Sequence, residues 1–487
     1  MRRPARQPGD TLAVLALLVA LFAAQAWYSG ITSTRMLDEE LYESVRNPVW
    51  VAHRVIYDGV SSNVGWYALV AASWRVFGFS LFAGKVLRAV FHAVSLICLA
   101  QLLVRWLGCR RAIVPLAVIG SSPTLLYFNT LGTTYGIDLQ WAPVLVWLLW
   151  RTTAPSNRAP LPAHGLLGLT VTFAALMWPV CLFYAPLWTV LYVVRSGRPG
   201  PLAVWVTVIF AALPLVLALG WLDNAGRWLH DPATGSGAFR GGGAGLVGSP
   251  RAFAVNLWWM ARDVTAFGSS YYFWLALPDL SGVLGWIPAT AVAVMLPSLW
   301  RARPELRIPI ASAFLVAAVT IVLAAATAGP PGFRRATLSL AVFYGIYIVC
   351  WQTATDERRR SPGAWLPKAQ VALLALLLVH HAMEFVPNAR SLAGDVPVEE
   401  RHWLRVAPTP ALSVASLAEA VATGHPLDCR TVGLGPDECR YAEVYAAVEG
   451  YLRWSRGQAI PQVHGYDFGS GQYVPLAPET WPFGSQR

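Results

Sequence analysis

Long runs of apolar residues recur along the chain and constrain its fold more than any other feature. About eleven such runs are present, most of them close to the ~20 residues that a helix needs to cross a bilayer. They lie at 11–28, 82–105, 112–128, 136–151, 164–178, 180–195, 201–221, 281–300, 307–328, 335–351 and 367–385. In lipid, backbone N–H and C=O groups must pair within the chain, so these runs predict membrane-spanning helices. Trp178-Pro179 predicts either a kink in one helix or a turn between two.

The charged fraction agrees with a membrane protein. Only 13% of the 487 residues are charged and 56% are hydrophobic, whereas roughly a quarter of a soluble domain is charged. The chain has too few polar side chains to cover a soluble globule of this size. A cytosolic enzyme, a disordered chain and a fibrous repeat are therefore excluded.

The placement of the basic residues predicts the orientation. With the N-terminus inside and eleven alternating spans, the inside segments hold 17 of the 37 Lys and Arg residues but only 4 acidic residues. The inside is then +13 and the remainder −2, as the positive-inside rule requires. The net charge of +11 is therefore mostly an orientation signal and gives no reason to expect nucleic acid. We expect an uncleaved first span, a cytoplasmic N-terminus and an extracytoplasmic C-terminus, in the inner membrane of a bacterium.

Three segments are predicted to lie outside: 29–81, 222–280 and 386–487. Residues 1–385 would form the transmembrane module, and 386–487 a small extracytoplasmic domain. The aromatic, amphipathic stretch 41–81 predicts one or more helices lying in the membrane interface.

The C-terminal tail contains two cysteines separated by nine residues that include glycine and proline. Outside the cytoplasm this spacing predicts a Cys429–Cys439 disulfide. A zinc pair is the alternative, but the tail has no second pair to complete a zinc site. A helix is also predicted at 440–455.

Two acidic sites are predicted at the outer face, where ionisable groups near the membrane are costly and informative. The first is the cluster Asp38, Glu39 and Glu40, about ten residues after the first span. The second is Asp138, at the outer start of the fourth span. Each has a structural alternative: a solvated acidic loop for the first, and an acid stabilised by a helix N-terminus for the second.

Six motifs in the first part of the chain occur in a recognisable order. Leu37–Tyr42 is an Asp-Glu motif in the first outer loop, Gly65–Leu69 matches a pattern of the type Pro-Leu-Tyr-Tyr, and Trp74–Gly78 is an aromatic segment ending in Phe-Gly. Leu81–Arg88 places an Arg in the second span, Ser122-Pro123 is a Ser-Pro, and Tyr135–Asp138 ends in an Asp that opens the fourth span. With these motifs the first 195 residues resemble the GT-C superfamily of polytopic glycosyltransferases, especially the branch of protein O-mannosyltransferases and lipid A aminoarabinose transferases. Later in the chain, Gly332–Arg335 resembles the start of a late span of that family.

The resemblance implies an all-α polytopic fold with about eleven transmembrane helices, and an inverting transfer of sugar from a polyprenyl phosphate to an acceptor hydroxyl. Asp38 would be the general base, while Glu39 orients it or binds the sugar, and Asp138 holds the acceptor or the base. Cations would stabilise the departing phosphate. The implied substrate-binding residues are Glu40, Tyr42, Lys85, Arg88, Tyr135, Arg334 and Arg335. For Lys85 and Arg88 the alternative is snorkelling towards the interface.

One motif departs from the family. Relatives often carry Pro-Pro, sometimes preceded by Lys, where this chain has Ser61–Val64. The contact that such a Lys gives to the lipid phosphate must come from another cation, or the donor differs.

Two other functions are compatible with the same sequence. One is a transporter or flippase of lipid-linked glycans, and the other is a polysaccharide polymerase or ligase of the same superfamily. The sugar (hexose or pentose) and the acceptor (a glycan, lipid or protein) are left open. No cofactor is firmly implied and no metal ligands are assigned.

Overall fold

The computed structural model describes part of the chain. The described residues are 8–31, 64–77, 82–130, 134, 136–152, 161–178, 181, 250–265, 290, 292–297, 299–301, 303–327, 341–342, 344–352, 375, 378–379, 464–467 and 472–475. The predicted disulfide between Cys429 and Cys439 and the predicted helix at 440–455 lie outside them.

Nine helices are named here from the described residues. They are α1 Pro8–Ile31, α2 Val64–Phe77, α3 Phe82–Leu107, α4 Cys109–Gly120, α5 Pro123–Thr130, α6 Ile137–Thr152, α7 Leu161–Met177, α8 Pro250–Thr265 and α9 Arg307–Thr327, the last preceded by a 3₁₀ turn at Pro304–Leu306. Further helical residues lie at 292–297 and 344–352. In the tail, β1 (His464–Asp467) and β2 (Gln472–Pro475) pair antiparallel, with His464 opposite Pro475. The helical prediction therefore fits the described membrane module, whereas the described part of the tail is a β-hairpin.

The predicted span count is confirmed only in part. Three described helices are long and apolar enough to cross a membrane, at Gly9–Trp27, Gly84–Leu107 and Pro304–Val322, and Ala163–Met177 is a shorter apolar helix. They correspond to the first, second, ninth and fifth predicted runs. The total of eleven stays a prediction.

In its N-terminal half, helix α3 is polar on its buried face and apolar on its exposed face. The buried polar side chains follow helical spacing and are Lys85, Arg88, His92 and Ser95. The exposed large apolar side chains are Val86, Val90, Val94 and Ile97. Water would favour the opposite arrangement, so α3 is built to meet lipid with its outer face.

The third predicted run, 112–128, is not one continuous helix. It divides into α4 and α5 at Ser121-Ser122, and Pro123 begins the second helix. Proline has no N–H to continue a helical hydrogen bond, but its fixed φ suits a first helical turn. The second of these helices ends at Thr130, close to the start of α6.

Contacts between helices show which ends lie together. The Arg105 guanidinium stacks 3.8 Å from the Trp150 ring centroid, so α3 and α6 have their C-termini at the same end. The Trp351 indole donates to the Arg111 carbonyl at 3.2 Å, which places the end of segment 344–352 there too. These neighbours fit the predicted alternation of spans. We call this the arginine end; it holds Arg105, Arg110, Arg111 and Arg151. Its side of the membrane stays a prediction.

A series of edge-to-face aromatic contacts joins four helices. The ring centroids of Trp66 and Phe91 are 6.3 Å apart, those of Phe91 and Trp141 5.3 Å, and those of Trp141 and Phe173 5.9 Å. Each such pair is worth about 0.5–1.5 kcal/mol beyond the area it buries. Helix α2, which is part of the predicted interfacial stretch 41–81, is thus packed onto α3. Its position relative to the lipid headgroups stays a prediction.

The contact between α2 and α7 depends on a glycine, which gives the first testable prediction. A Cβ on Gly65 would lie 2.9 Å from both the backbone carbon and the Cβ of Leu176. We expect Gly65→Ala to lower stability by about 1–3 kcal/mol, because the helices must move apart. The matched control is Gly165→Ala in α7, where nothing lies within 4 Å and alanine should stabilise by about 0.5–1 kcal/mol. Thermal unfolding in detergent checks both, and a rise in the unfolding midpoint for Gly65→Ala would contradict the prediction.

Candidate active site

The buried polar face of α3 forms one side of the candidate site. Lys85, Arg88, His92 and Ser95 lie at successive spacings of three or four residues and so share one face of the helix. They cover roughly 15 Å along the axis, starting near the N-terminus of α3, at the end of the bundle opposite the arginine end. All four are buried. Ionisable side chains within a membrane are costly, and those that face the protein interior commonly mark functional sites.

Arg88 is wholly buried and caps a helix. Its Nη2 donates to the carbonyl of Phe128 at 2.6 Å. Phe128 is in the last turn of α5, where carbonyls have no partner within the helix and a cation is favoured by the helix dipole. The guanidinium carbon also lies 5.9 Å from the Trp66 ring centroid. The snorkelling alternative is therefore wrong for Arg88, whose side chain faces the interior.

Asp138 lies in the first turn of α6 and is also wholly buried. The position agrees with the helix-dipole alternative, because the N-terminal turn stabilises a carboxylate. Gln140, two residues later on α6, donates to the Arg88 carbonyl at 3.2 Å, so the start of α6 that carries Asp138 lies against Arg88. The structure thus brings together two charged residues that the sequence predicted separately for the site.

Gly136 sets the start of α6 and the position of Asp138. Its φ is +70°, a conformation that side chains other than glycine's rarely adopt. A Cβ at this position would lie 2.7 Å from both Cβ and Cγ of Phe128. The left-handed turn and the close contact both require glycine, and both lie beside the residue whose carbonyl Arg88 contacts.

Three further polar side chains belong to the site, and the sequence analysis did not identify them. Gln140 Nε2 donates to the Arg88 carbonyl at 3.2 Å and to Asn129 Oδ1 at 2.5 Å. Asn129 Nδ2 and His92 Nδ1 are 2.7 Å apart. All three side chains are buried. The sequence offered two signals for these residues. His92 lies one helical turn after Arg88, and polar side chains such as His, Asn and Gln are rare in apolar runs.

The other predicted site residues divide into two groups. Lys85 is buried one turn before Arg88, on the same face of α3. The remaining residues lie outside the described part of the chain, and their roles stay predictions; they are Asp38, Glu39, Glu40, Tyr42, Tyr135, Arg334 and Arg335.

Among the described residues, no group of three His, Cys, Asp or Glu side chains lies close enough together to hold a metal ion. The predicted acidic cluster at Asp38, Glu39 and Glu40 lies outside the described residues.

Comparisons with known proteins give matches only among solved structures. No protein-family model matches the chain, and no curated protein matches it. ArnT from Cupriavidus metallidurans bound to undecaprenyl phosphate is 14% identical at a TM-score of 0.46, over 85% of this chain and 80% of ArnT. In the apo state the values are 12% and 0.47, over 89% and 84%.

The archaeal oligosaccharyltransferase AglB from Archaeoglobus fulgidus is a second neighbour. Its complex with an inhibitory peptide and a dolichol-phosphate is 12% identical at a TM-score of 0.47, over 89% of this chain and 59% of AglB. ArnT and AglB are both GT-C glycosyltransferases. At these TM-scores the likeness carries no argument about activity, which has to come from the residues.

Gly136 gives the second testable prediction. Gly136→Ala should combine a left-handed backbone penalty of about 1–2 kcal/mol with about 1–3 kcal/mol from the clash with Phe128. Gly165→Ala is the control, since Gly165 has no φ in the left-handed range and an added Cβ would meet nothing within 4 Å. Thermal unfolding of both variants should show a loss only for Gly136→Ala. An unchanged or raised unfolding midpoint for Gly136→Ala would contradict the prediction.

Proposed function

We propose that the chain is an inverting glycosyltransferase that moves a sugar from a polyprenyl phosphate to an acceptor hydroxyl on the extracytoplasmic side of the membrane. The observation that carries the proposal is that Arg88 and Asp138 are both wholly buried at one end of the bundle, where Gln140, two residues after Asp138, donates to the Arg88 carbonyl at 3.2 Å. Both residues come from the motifs through which the sequence resembles GT-C enzymes. A buried cation and a buried carboxylate at one site suit a reaction that separates a phosphate from a sugar while a hydroxyl loses its proton.

The cations of α3 are proposed to act on the departing phosphate. When the bond between the anomeric carbon and the phosphate oxygen breaks, the phosphate keeps the electron pair and gains negative charge. A fixed cation in a site of low dielectric constant stabilises that charge more strongly than one in water. Lys85 and Arg88 are both buried on one helix face, and Arg334 and Arg335 remain candidates from the sequence.

The carboxylates are proposed to act on the acceptor. Asp38 takes the proton of the acceptor hydroxyl, whose oxygen forms the new bond to the anomeric carbon from the side opposite the phosphate. One such displacement inverts the configuration at that carbon. Glu39 orients Asp38 or binds the sugar, and Asp138 holds the acceptor or the base.

The carrier class proposed for the donor, a polyprenyl phosphate, is the one that the sequence resemblance implies; the ArnT and AglB structures hold lipid phosphates of this kind, undecaprenyl phosphate and a dolichol-phosphate. Because the chain departs from the relatives at Ser61–Val64, the donor headgroup is left open.

Charge-neutral substitution of the proposed base is the third testable prediction. Asp38→Asn should lower transfer of labelled sugar from a polyprenyl-phosphate donor by about 100-fold or more, because general-base catalysis contributes roughly that much. Asp10→Asn in the first turn of α1 is the matched control, and it should transfer at the wild-type rate. Expression level and unfolding midpoint are measured for both. Wild-type transfer by Asp38→Asn would contradict the assignment of the base.

The alternative functions are separated by two further measurements. A flippase would move lipid-linked glycan across proteoliposomes in the absence of an acceptor, and its product would be unchanged donor. A polymerase or ligase would accept only a diphosphate-linked glycan. Inverted product from a monophosphate-linked sugar distinguishes the proposed reaction from both.

A further inference from the structure

A chain of hydrogen bonds runs from the Arg88 carbonyl through Gln140 and Asn129 to His92. The donor and the acceptor of each bond can be assigned in only one way. The Arg88 carbonyl accepts only, so Gln140 must present its NH₂ group there, 3.2 Å away. The same nitrogen donates to Asn129 Oδ1. Asn129 must then present its own NH₂ group to His92 Nδ1 at 2.7 Å. One backbone carbonyl thus fixes both amide orientations.

The direction of this chain also fixes the tautomer of His92. Because Nδ1 accepts from Asn129, the ring proton lies on Nε2 and the imidazole is neutral. Protonation at Nδ1 would place two donors against each other, and turning both amides round would place Gln140 Oε1 against the Arg88 carbonyl. The arrangement is therefore all-or-none.

We propose that His92, Asn129 and Gln140 are positioning residues that hold Arg88 and Asp138 in their catalytic arrangement. The inference deepens the proposed function and rests on it. None of the three is proposed to touch the substrate. They act through the two charged residues, and the three are called the positioning network below.

The positioning network ties together the three backbone segments that carry the site. Gln140 is two residues after Asp138, in the first turns of α6, and it bonds to the backbone of Arg88 itself. Asn129 follows Phe128, whose carbonyl accepts from the Arg88 side chain. The guanidinium of Arg88 is therefore held by the Phe128 carbonyl. The next residue, Asn129, is hydrogen-bonded to both α3 and α6.

A fixed arrangement of this kind matters because catalysis depends on sub-ångström placement. A displacement of about 1 Å costs on the order of 100-fold in rate when it moves a group away from the reacting atoms. Without Gln140, α5 keeps its hydrogen bonds to α3 through Arg88 and His92 and to α1 through Gln25, but it loses the bond that joins Asn129 to α6. Arg88, held at the last turn of α5, is then less firmly placed relative to Asp138 on α6.

The fourth testable prediction compares two glutamines that both bridge α3 and α6. Gln140→Met removes two buried hydrogen bonds at the site, and we expect a roughly 5- to 150-fold lower kcat for sugar transfer with a nearly unchanged acceptor KM. Gln101→Met is the matched control, since Gln101 Oε1 accepts from Trp147 Nε1 at 2.8 Å near the arginine end. It should lower the unfolding midpoint without changing kcat per folded molecule.

A second pair of variants tests the acceptor at position 92. His92→Leu should lose activity to a similar extent, whereas His92→Asn keeps an oxygen near the place of Nδ1 and should recover most of it. If His92→Leu or Gln140→Met retains wild-type kcat per folded molecule, the positioning role is overturned.

The tautomer of His92 provides a measurement independent of activity. In ¹⁵N-histidine-labelled wild-type protein, with His92→Asn used for assignment, the ring should be neutral with an unprotonated Nδ1. An Nδ1–H tautomer or an imidazolium would overturn the proposed direction of the network. If the tautomer is as expected but wild-type protein transfers no sugar from a polyprenyl phosphate, the proposed function fails and the positioning role falls with it.

Discussion

A polar group inside a bilayer must find its partner within the protein, and this constraint governs the described helices. Helix α3 obeys it by turning Lys85, Arg88 and His92 inward and its valines outward. Each inward group then needs partners on neighbouring helices, which ties α3 to α5 and α6. The interior is consequently polar at one end of the bundle, and that polarity both holds the helices together and makes a charged reaction site possible.

The break between α4 and α5 provides the second half of the arrangement. The helix that begins at Pro123 ends at Thr130, so the carbonyl of Phe128 lies in a last turn and has no N–H four residues later in the same helix. Because a new, short helix begins at Pro123 and ends at Thr130, that carbonyl is left for another donor, and Arg88 supplies it. Gly136 then allows α6 to begin directly against Phe128. A helix end inside the bundle thus brings the cation and Asp138 together.

Sequence reasoning reached the parts of the site that depend on one segment at a time. Arg88 and Asp138 could be predicted because charges in or beside apolar runs are rare and matched family motifs. His92, Asn129 and Gln140 were not identified: their polarity within apolar runs was visible in the sequence, but the hydrogen bonds that join them across three helices were not. The apolar content of 112–128 predicts one continuous span, although the stretch contains Ser122-Pro123. Apolar content alone does not show that proline lacks the N–H needed to continue a helix. The two strands of the tail are four residues long and lie outside the long apolar runs, so the periodicity that predicts the helices does not extend to them.

Arg88 serves the fold and the proposed chemistry at once, and its side chain explains how this is possible. A guanidinium carries five N–H donors in a rigid plane, so capping the Phe128 carbonyl through Nη2 does not exhaust it. A lysine ammonium has three donors on a flexible stem and would hold neither the hydrogen bond to Phe128 nor the contact with the Trp66 ring as firmly. The fixed cation is therefore arginine, held by the helix end that it caps, and Lys85 is buried one turn before it on the same face of α3. On this view the stability of the bundle and the placement of the charge are consequences of the same contact.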